Sequence, residues 1–300
     1  MLRILHCVNN MHRAGLETMI MNYYRSMDRS RIQFDFLTHR PFRSDYDDEI
    51  EAMGGKVYYA PRLTPQNYPA YFSFMKKFYK EHPEYKIVHS HIDAMSYLPL
   101  LAAKKAGVPI RIAHSHNTQI DKDYKYVLKQ LFRHRIGKVA TNQLACGKEA
   151  GKFLFHKDDV LVIPNAVQAD SFLFDETVRT SIRKELGLEN NFVVGHIGRF
   201  TSQKNHGFLL DIFNELQKMK PDSVLLLIGT GEDEEKIKAK TSEMGLSQKV
   251  KFLGVRSDVT KLYQAMDLFL LPSLYEGLPV VGVEAQFADL PCFFSTAVTK

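Results

Sequence analysis

The sequence predicts an α/β protein with two doubly wound parallel sheets, one in each half of the chain. Three observations carry this. Strand-sized apolar runs alternate with helix-length amphipathic stretches. The alternation restarts after "VLVIPNAVQADSF" (160–172). Glycine-marked turns follow several of the apolar runs, where open parallel sheets place their ligands. The first series reads as buried strands at 3–8, 34–38, 56–60, 86–90, 110–115 and 142–147, with helical segments such as 16–27, 67–81 and 94–106 between them. A polar helix over 176–186 then leads into a second series at 192–198, 223–229, 249–254, 267–272 and 291–295. These are two Rossmann-like domains, 1–166 and 167–300, expected to face each other across a cleft.

Composition narrows the class. A chain of 300 residues that is 45% hydrophobic has enough apolar side chain for two cores, which excludes a disordered polymer. The net charge of +6 suits phosphate-bearing ligands or an anionic membrane surface and does not indicate nucleic acid. Cys7, Cys146 and Cys292 are scattered and odd in number, which fits a reducing compartment better than a disulfide framework. The N-terminal apolar run is too short for a signal peptide, and no run reaches the roughly 18–20 residues of a spanning helix. The expected location is cytoplasmic.

Four segments of the second half carry candidate chemistry. "VVGHIGRFTSQKNHGFLLDIF" (193–213) follows a strand and opens a helix. Gly195 and Gly198 would let backbone approach a ligand, and Arg199 and Lys204 place two cations where a helix N-terminus already favours anions. A diphosphate clamp fits this spacing, and so does an ordinary βα turn with solvated charges. "LLLIGTGEDEEKIK" (225–238) has Glu234 where a dinucleotide fingerprint needs its third glycine, and reads as a capped helix start. In "KFLGVRSDVTKLYQAMDLFLLPS" (251–273), the loop Gly254–Ser257 could present backbone groups to a nucleobase. In "LYEGLPVVGVEAQ" (274–286), Pro279 suits the first turn of a helix over 279–288. The backbone amides of Gly277, Leu278 and Val280 would then point at an anion, and Glu284 could accept hydrogen bonds from sugar hydroxyls. Eight residues of continuous helix would hold Glu276 and Glu284 about 12 Å apart along the axis, too far for a pair acting on one atom. Glu276 would need a partner such as Arg199 or Lys204.

The first half adds three features. Gly15 in "NNMHRAGLETMI" (9–20) would allow close backbone approach at a helix start, or simply make a tight turn. His89/His91 and His114/His116 form two His-x-His pairs after strands, and alternation places each pair on one side of its strand. No well-spaced carboxylate or thiolate joins them, although Asp93 is close, so they read as polar lining and structural groups with no metal expected. Residues 121–138 read as an amphipathic helix. Lys122, Lys125, Lys129 and Arg133 form a basic side, and Tyr124, Val127, Leu128, Leu131 and Phe132 an apolar side packed on the core. The basic side is either merely solvated or a patch for anionic lipid or a phosphorylated acceptor.

With these residues in view, the chain resembles the family 4 retaining glycosyltransferases of the GT-B fold, and more narrowly the bacterial enzymes of exopolysaccharide or capsule synthesis. "GRFTSQKN" (198–205), "FLGVRSD" (252–258) and "EGLPVVGVEAQ" (276–286) carry the likeness, supported by "AGLET" (14–18) and "IAHSHNT" (112–118). The resemblance implies a nucleotide-sugar donor held in the C-terminal domain, with the N-terminal domain on the acceptor side. It implies that Arg199 and Lys204 bind the diphosphate, that Glu284 binds the ribose, and that Glu276 lies near the donor sugar and phosphates. Val255 and Arg256 border the base in the same likeness, and backbone at Gly277, Leu278 and Val280 meets the phosphates. His116 lies near the transferred sugar, and Gly15 and Gly198 allow close approach to phosphate. No metal or other cofactor is implied. The implied reaction is hexosyl transfer with retention to a growing, lipid-linked saccharide, at the inner face of the plasma membrane. A sugar epimerase of the same fold and a non-catalytic nucleotide-sugar-binding protein are the alternatives. Ala14-Gly15 and Asn165-Ala166 depart from the glycine pairs common in the family. The family usually continues further past the second glutamate, so the C-terminal domain is expected to be incomplete.

Overall fold

A computed structural model describes residues 1–120 and 123–298. The strands are β1 (Leu2–Val8), β2 (Ile32–Thr38), β3 (Val57–Tyr59), β4 (Ile87–Ser90), β5 (Ile110–Ser115), β6 (Asn142–Ala145), β7 (Leu161–Val162), β8 (Phe192–Ile197), β9 (Ser223–Ile228), β10 (Val250–Gly254), β11 (Leu268–Leu271) and β12 (Cys292–Phe294). The helices are α1 (Gly15–Ser26), α2 (Asp47–Ala52), α3 (Tyr68–Glu81), α4 (Tyr97–Lys105), α5 (Tyr126–Arg135), α6 (Lys148–Phe155), α7 (Glu176–Leu186), α8 (His206–Met219), α9 (Glu234–Glu243), α10 (Val259–Ala265) and α11 (Val280–Phe287). The chain divides into two compact units, Met1–Ala166 and Val167–Lys300.

Each unit holds one all-parallel sheet. The first has strand order β3-β2-β1-β4-β5-β6-β7, the second β10-β9-β8-β11-β12. Strands covered by helices on both faces read as continuous apolar runs, which is why β9, SVLLLI, is buried along its whole length. In each sheet the order reverses beside the first strand of the series: between β1 and β4, and between β8 and β11. At such a reversal the loops leaving two adjacent strands run to opposite faces and leave room for a ligand. The loops that matter follow β1 and β4 in one unit and β8 and β11 in the other.

Local structure departs from the sequence reading in four places. The strand read after residue 160 shrinks to the two residues of β7 at a sheet edge. α11 begins at Val280, with Pro279 extended at φ −71°, ψ 116° as the residue before it. Glu276 thus lies in the loop before this helix and Glu284 on it, as the sequence reading placed them. At α9, Asp233 makes no side-chain capping bond, and the glycines before it serve a different purpose, described below. The basic helix is turned from its expected orientation. Lys122 lies outside the described residues. Lys125 donates to the Leu63 carbonyl, Lys129 pairs with Asp123, and Arg133 donates to the Phe153 carbonyl while lying 4.3 Å from the Phe153 ring. Phe132 is buried, but Tyr124, Val127 and Leu131 are exposed. Residues 125, 129 and 133 share the face turned to the unit, and long basic side chains cover that surface with their stems.

All three cysteines are free thiols. No helix among the described residues is long and apolar enough to cross a membrane.

Candidate functional site

The site in the second unit grows out of the strand reversal. β8 is interior, and Gly195 within it is required for packing: a Cβ there would lie 2.0 Å from the Met266 sulfur. Gly195 thus serves the core, not ligand approach. The chain leaves the sheet at Gly198, where an added Cβ would press on the Lys204 stem at 3.2 Å. Phe200, buried and stacked on His206 at 4.2 Å, anchors the loop. A short 3-10 turn, Ser202–Lys204, follows. Asn205, in the left-handed region at φ 54°, turns the chain into α8; asparagine tolerates that conformation better than most residues.

Two neighbouring loops hold this segment. After β9, the Gly198 amide donates to the Ile228 carbonyl and the Phe200 amide to the Thr230 carbonyl. Gly229 at φ +131° and Gly231 pass so close that a Cβ would meet the Gly198 oxygen at 2.2 Å and the Phe200 oxygen at 2.4 Å. The glycines of "IGTG" therefore brace the loop carrying Arg199 and Lys204. Gly229→Ala is expected to destabilise the protein by at least about 2 kcal/mol, through forced backbone displacement plus positive-φ strain. A thermal melt checks it.

After β11, the Leu274 amide donates to the Gln203 carbonyl at 2.8 Å. The Gln203 side chain donates to Tyr275 O at 3.0 Å, and the Asn205 side chain to Pro272 O at 3.2 Å. These bonds bring Lys204 and Glu276 together, with Nζ to Oε1 at 2.6 Å and both side chains largely buried. Arg199 is exposed. Gly277 and Val280 are buried and Leu278 is partly so, at the start of α11.

Glu284 lies on α11 and is buried, and burial pushes its carboxyl up to about 7. The Tyr263 hydroxyl on α10 lies 2.9 Å from Glu284 Oε2 and 3.0 Å from the Val281 carbonyl oxygen. One hydroxyl proton cannot serve two acceptors fully. A protonated Glu284 that donates to the tyrosine oxygen satisfies both contacts, in keeping with the raised pKa. Val255 is exposed, with Gly254 before it at φ +63°. Arg256 is held by Asp258 at 2.7 and 2.6 Å.

In the first unit, Ala14 precedes α1 at φ −144°, ψ 169°, extended backbone that any residue adopts, so the missing glycine there costs nothing. Gly15, exposed, is the first residue of α1. Beside the reversal, His6 of β1 is in register with His89 of β4. With His91, His114 and His116 they form a ladder of imidazoles across β1, β4 and β5. His6 Nδ1 lies 2.9 Å from His91 Nε2, His91 Nδ1 lies 3.1 Å from His116 Nε2, and His89 Nε2 lies 3.2 Å from His114 Nδ1. Burial lowers His6 to about 3 and His114 to about 4, and takes His89, His91 and His116 well below their ordinary range, so all five rings are neutral at pH 7. Asp93 accepts from the His116 amide at 2.8 Å and the Asn117 side chain at 2.7 Å, which fixes the loop after β5.

The model of "Glycosyltransferase Family 4" matches residues 13–171, and that of "Glycosyl transferases group 1" matches 178–298. EpsF of Bacillus subtilis, a protein named as a glycosyltransferase, is 36% identical over 99% of this chain and 80% of its own length. The chain belongs to glycosyltransferase family 4. A UDP-Gal:alpha-D-GlcNAc-diphosphoundecaprenol alpha-1,3-galactosyltransferase of Escherichia coli is 30% identical over 71% of this chain and 58% of its own length. Anabaena HepE, solved with UDP and glucose, superposes with a TM-score of 0.82 at 20% identity, covering 99% of this chain and 82% of that one. This family 4 glycosyltransferase has the GT-B fold of two Rossmann-like units.

Some structural partners were out of reach for sequence reasoning. Tyr263 carried no signal, because its link to Glu284 depends on α10 and α11 packing together. His6 looked like one residue of a strand until β1 paired with β4. Gly229 and Gly231 were visible as glycines, but their neighbour across the loop was not.

Proposed function

We propose that this glycosyltransferase moves a hexosyl residue from a nucleoside-diphosphate sugar to a saccharide acceptor carried on a lipid, with retention of configuration. The observation that carries this reading is the pairing of Lys204 with Glu276 on two stitched loops at the strand reversal, with Glu284 buried on the helix that follows. A diphosphate seated there would meet the exposed Arg199 and the Lys204 ammonium. Glu284, once ionised, would accept from the ribose hydroxyls, while Val255 and Arg256 border the base and Gly277, Leu278, Val280 and Gly198 allow close approach to phosphate. The lipid-linked acceptor is supported by the name of the Escherichia coli relative, and a UDP donor by the ligand of Anabaena HepE. Action at the cytoplasmic face of the membrane, with no metal ion, follows the same reading.

In the front-face mechanism, the acceptor oxygen bonds to the anomeric carbon on the side from which the phosphate oxygen departs. The acceptor proton passes to that departing oxygen. Arg199 and Lys204 stabilise the charge that gathers on the nucleoside diphosphate, a fixed electrostatic contribution needing no reorganisation. His116 contacts the transferred sugar.

Calorimetry with UDP and GDP tests the reading: one of them binds, and no binding of either sinks it. Nucleotide release that requires a saccharide acceptor separates a transferase from an epimerase. The pH dependence has a definite sign. The ribose hydroxyls need the Glu284 carboxylate, and that carboxyl titrates near 7. Affinity should therefore rise about tenfold from pH 6 to pH 8. Glu284→Gln should flatten that dependence, and an unchanged slope in the variant assigns it elsewhere.

A further inference from the structure

The ladder of histidines contains a continuous chain in which His91 spends one ring nitrogen on His6 and the other on His116. We infer that His6 and His91 form a directional imidazole relay that fixes His116 in its Nδ1–H tautomer, so that it offers a hydrogen-bond donor to substrate and not a base. The inference rests on the reading of His116 as a sugar-contacting residue, but its test does not.

Three neutral rings carry three protons, and each ring-to-ring contact needs one. Only two arrangements satisfy both contacts. In the first, His6 Nδ1–H donates to His91 Nε2 and His91 Nδ1–H donates to His116 Nε2, leaving the third proton on His116 Nδ1. In the second, every proton points inward and His6 carries its proton on Nε2. His6 Nε2 is buried and has no hydrogen-bond partner among the described residues, and its ring packs against Phe34 and Phe36. A buried N–H without an acceptor is a rarer and costlier defect than an idle lone pair. The apolar end of the chain therefore selects the first arrangement. His116, partly exposed, is the open end. Asp93 accepts from the His116 backbone amide and so fixes the loop that carries it.

The same nitrogens also satisfy a proximity criterion for metal binding. His6, His89 and His91, and likewise His91, His114 and His116, each bring one nitrogen within 4.8 Å of the others. A ligating histidine ordinarily gives its second nitrogen to a carboxylate, carbonyl or water, which fixes its tautomer. His91 gives both to imidazoles at hydrogen-bond distance, an arrangement suited to a relay.

The experiment is nitrogen NMR on the 15N-histidine-labelled full chain at pH 7, free of nucleotide, after treatment with a chelator. His116 is assigned by its loss in His116→Gln. The expected result is a pyrrole-type Nδ1 and a pyridine-type Nε2 at His116. His6, assigned by its loss in His6→Asn, is expected to show the same Nδ1–H form. His91→Phe, which removes the proton donated to His116 Nε2, is expected to give His116 at least about a tenfold gain of the Nε2–H form. An Nε2–H tautomer at His116 or His6 in the wild type overturns the inference. So does an unchanged His116 signature in folded His91→Phe, or a d–d absorption band on adding cobalt(II) that disappears in His91→Gln. Nucleotide binding is scored separately, so failure of the glycosyltransferase reading and failure of the relay remain distinct.

Discussion

Lys204→Met is expected to lower both stability and nucleotide affinity, and the double change Lys204→Met/Glu276→Gln to restore only the first. Lys204 and Glu276 are paired at 2.6 Å with side-chain exposures of 16% and 9%. Removing the ammonium breaks a largely buried ion pair, a loss of about 3 kcal/mol, or roughly ten degrees in melting temperature. Neutralising Glu276 as well removes the buried charge that the lysine balanced, and the melting temperature should return to within a few degrees of the parent. Nucleotide binding should not return. A charged hydrogen bond to the diphosphate is worth about 1.5–3 kcal/mol, so both variants should bind UDP or GDP some 10- to 100-fold more weakly. Thermal melts and calorimetry on the same samples separate the two effects. A double variant that regains affinity would show that Lys204 serves only to hold the loops together.

The second large effect is acid instability well above the carboxylate range. Burial lowers His6 to about 3 and His39, His114 and His206 to about 4, and takes His89, His91, His116 and His196 well below their ordinary value. In the unfolded chain these rings bind protons near pH 6.5. As pH falls below about 6.5 the unfolded state takes up protons that the folded state refuses until about pH 4. Stability is therefore full above pH 7 and is lost progressively through that window. Each ring lowered to about 4 contributes roughly 2 kcal/mol of the loss between pH 7 and pH 5. A folded domain has about 5–15 kcal/mol to lose, so a few such rings suffice, and the acid midpoint should lie between pH 5 and 6. Circular dichroism along a pH titration measures it. A chain that keeps its native signal to pH 4 would mean that these imidazoles are solvated.

Much of the fold was legible because parallel strands covered on both faces must be continuously apolar. The runs "RILHCV", "FVVGHIG" and "SVLLLIG" announce themselves whatever their neighbours, and the helical periods between them follow from the same burial. The candidate site was legible in part for a similar reason: a cation-bearing loop before a helix has a local signature, and so does the stretch from Glu276 to Glu284. The errors cluster where a residue's purpose depends on what packs against it. Gly195 looked like a place for ligand and is filled by Met266. The lysines of 125–133 looked solvated and lie against their own unit, while Tyr124, Val127 and Leu131 face outward. Amphipathic spacing names two faces of a helix but does not say which one the rest of the chain will cover.

The sequence by itself determined the two parallel sheets, the family, and the residue types available for a phosphate-bearing ligand, because each is encoded in local pattern and short-range spacing. Only the tertiary structure decided which of those residues meet. Lys204 reaches Glu276 across 72 positions because β8 and β11 lie side by side where the strand order reverses. Glu284 becomes a carboxyl that titrates near 7 because the packed unit buries it, with the Tyr263 hydroxyl of α10 at 2.9 Å. His6 joins the imidazole ladder because β1 and β4 are neighbours in the other sheet. Strand order is set by crossover packing over the whole unit, and no short window of residues contains it.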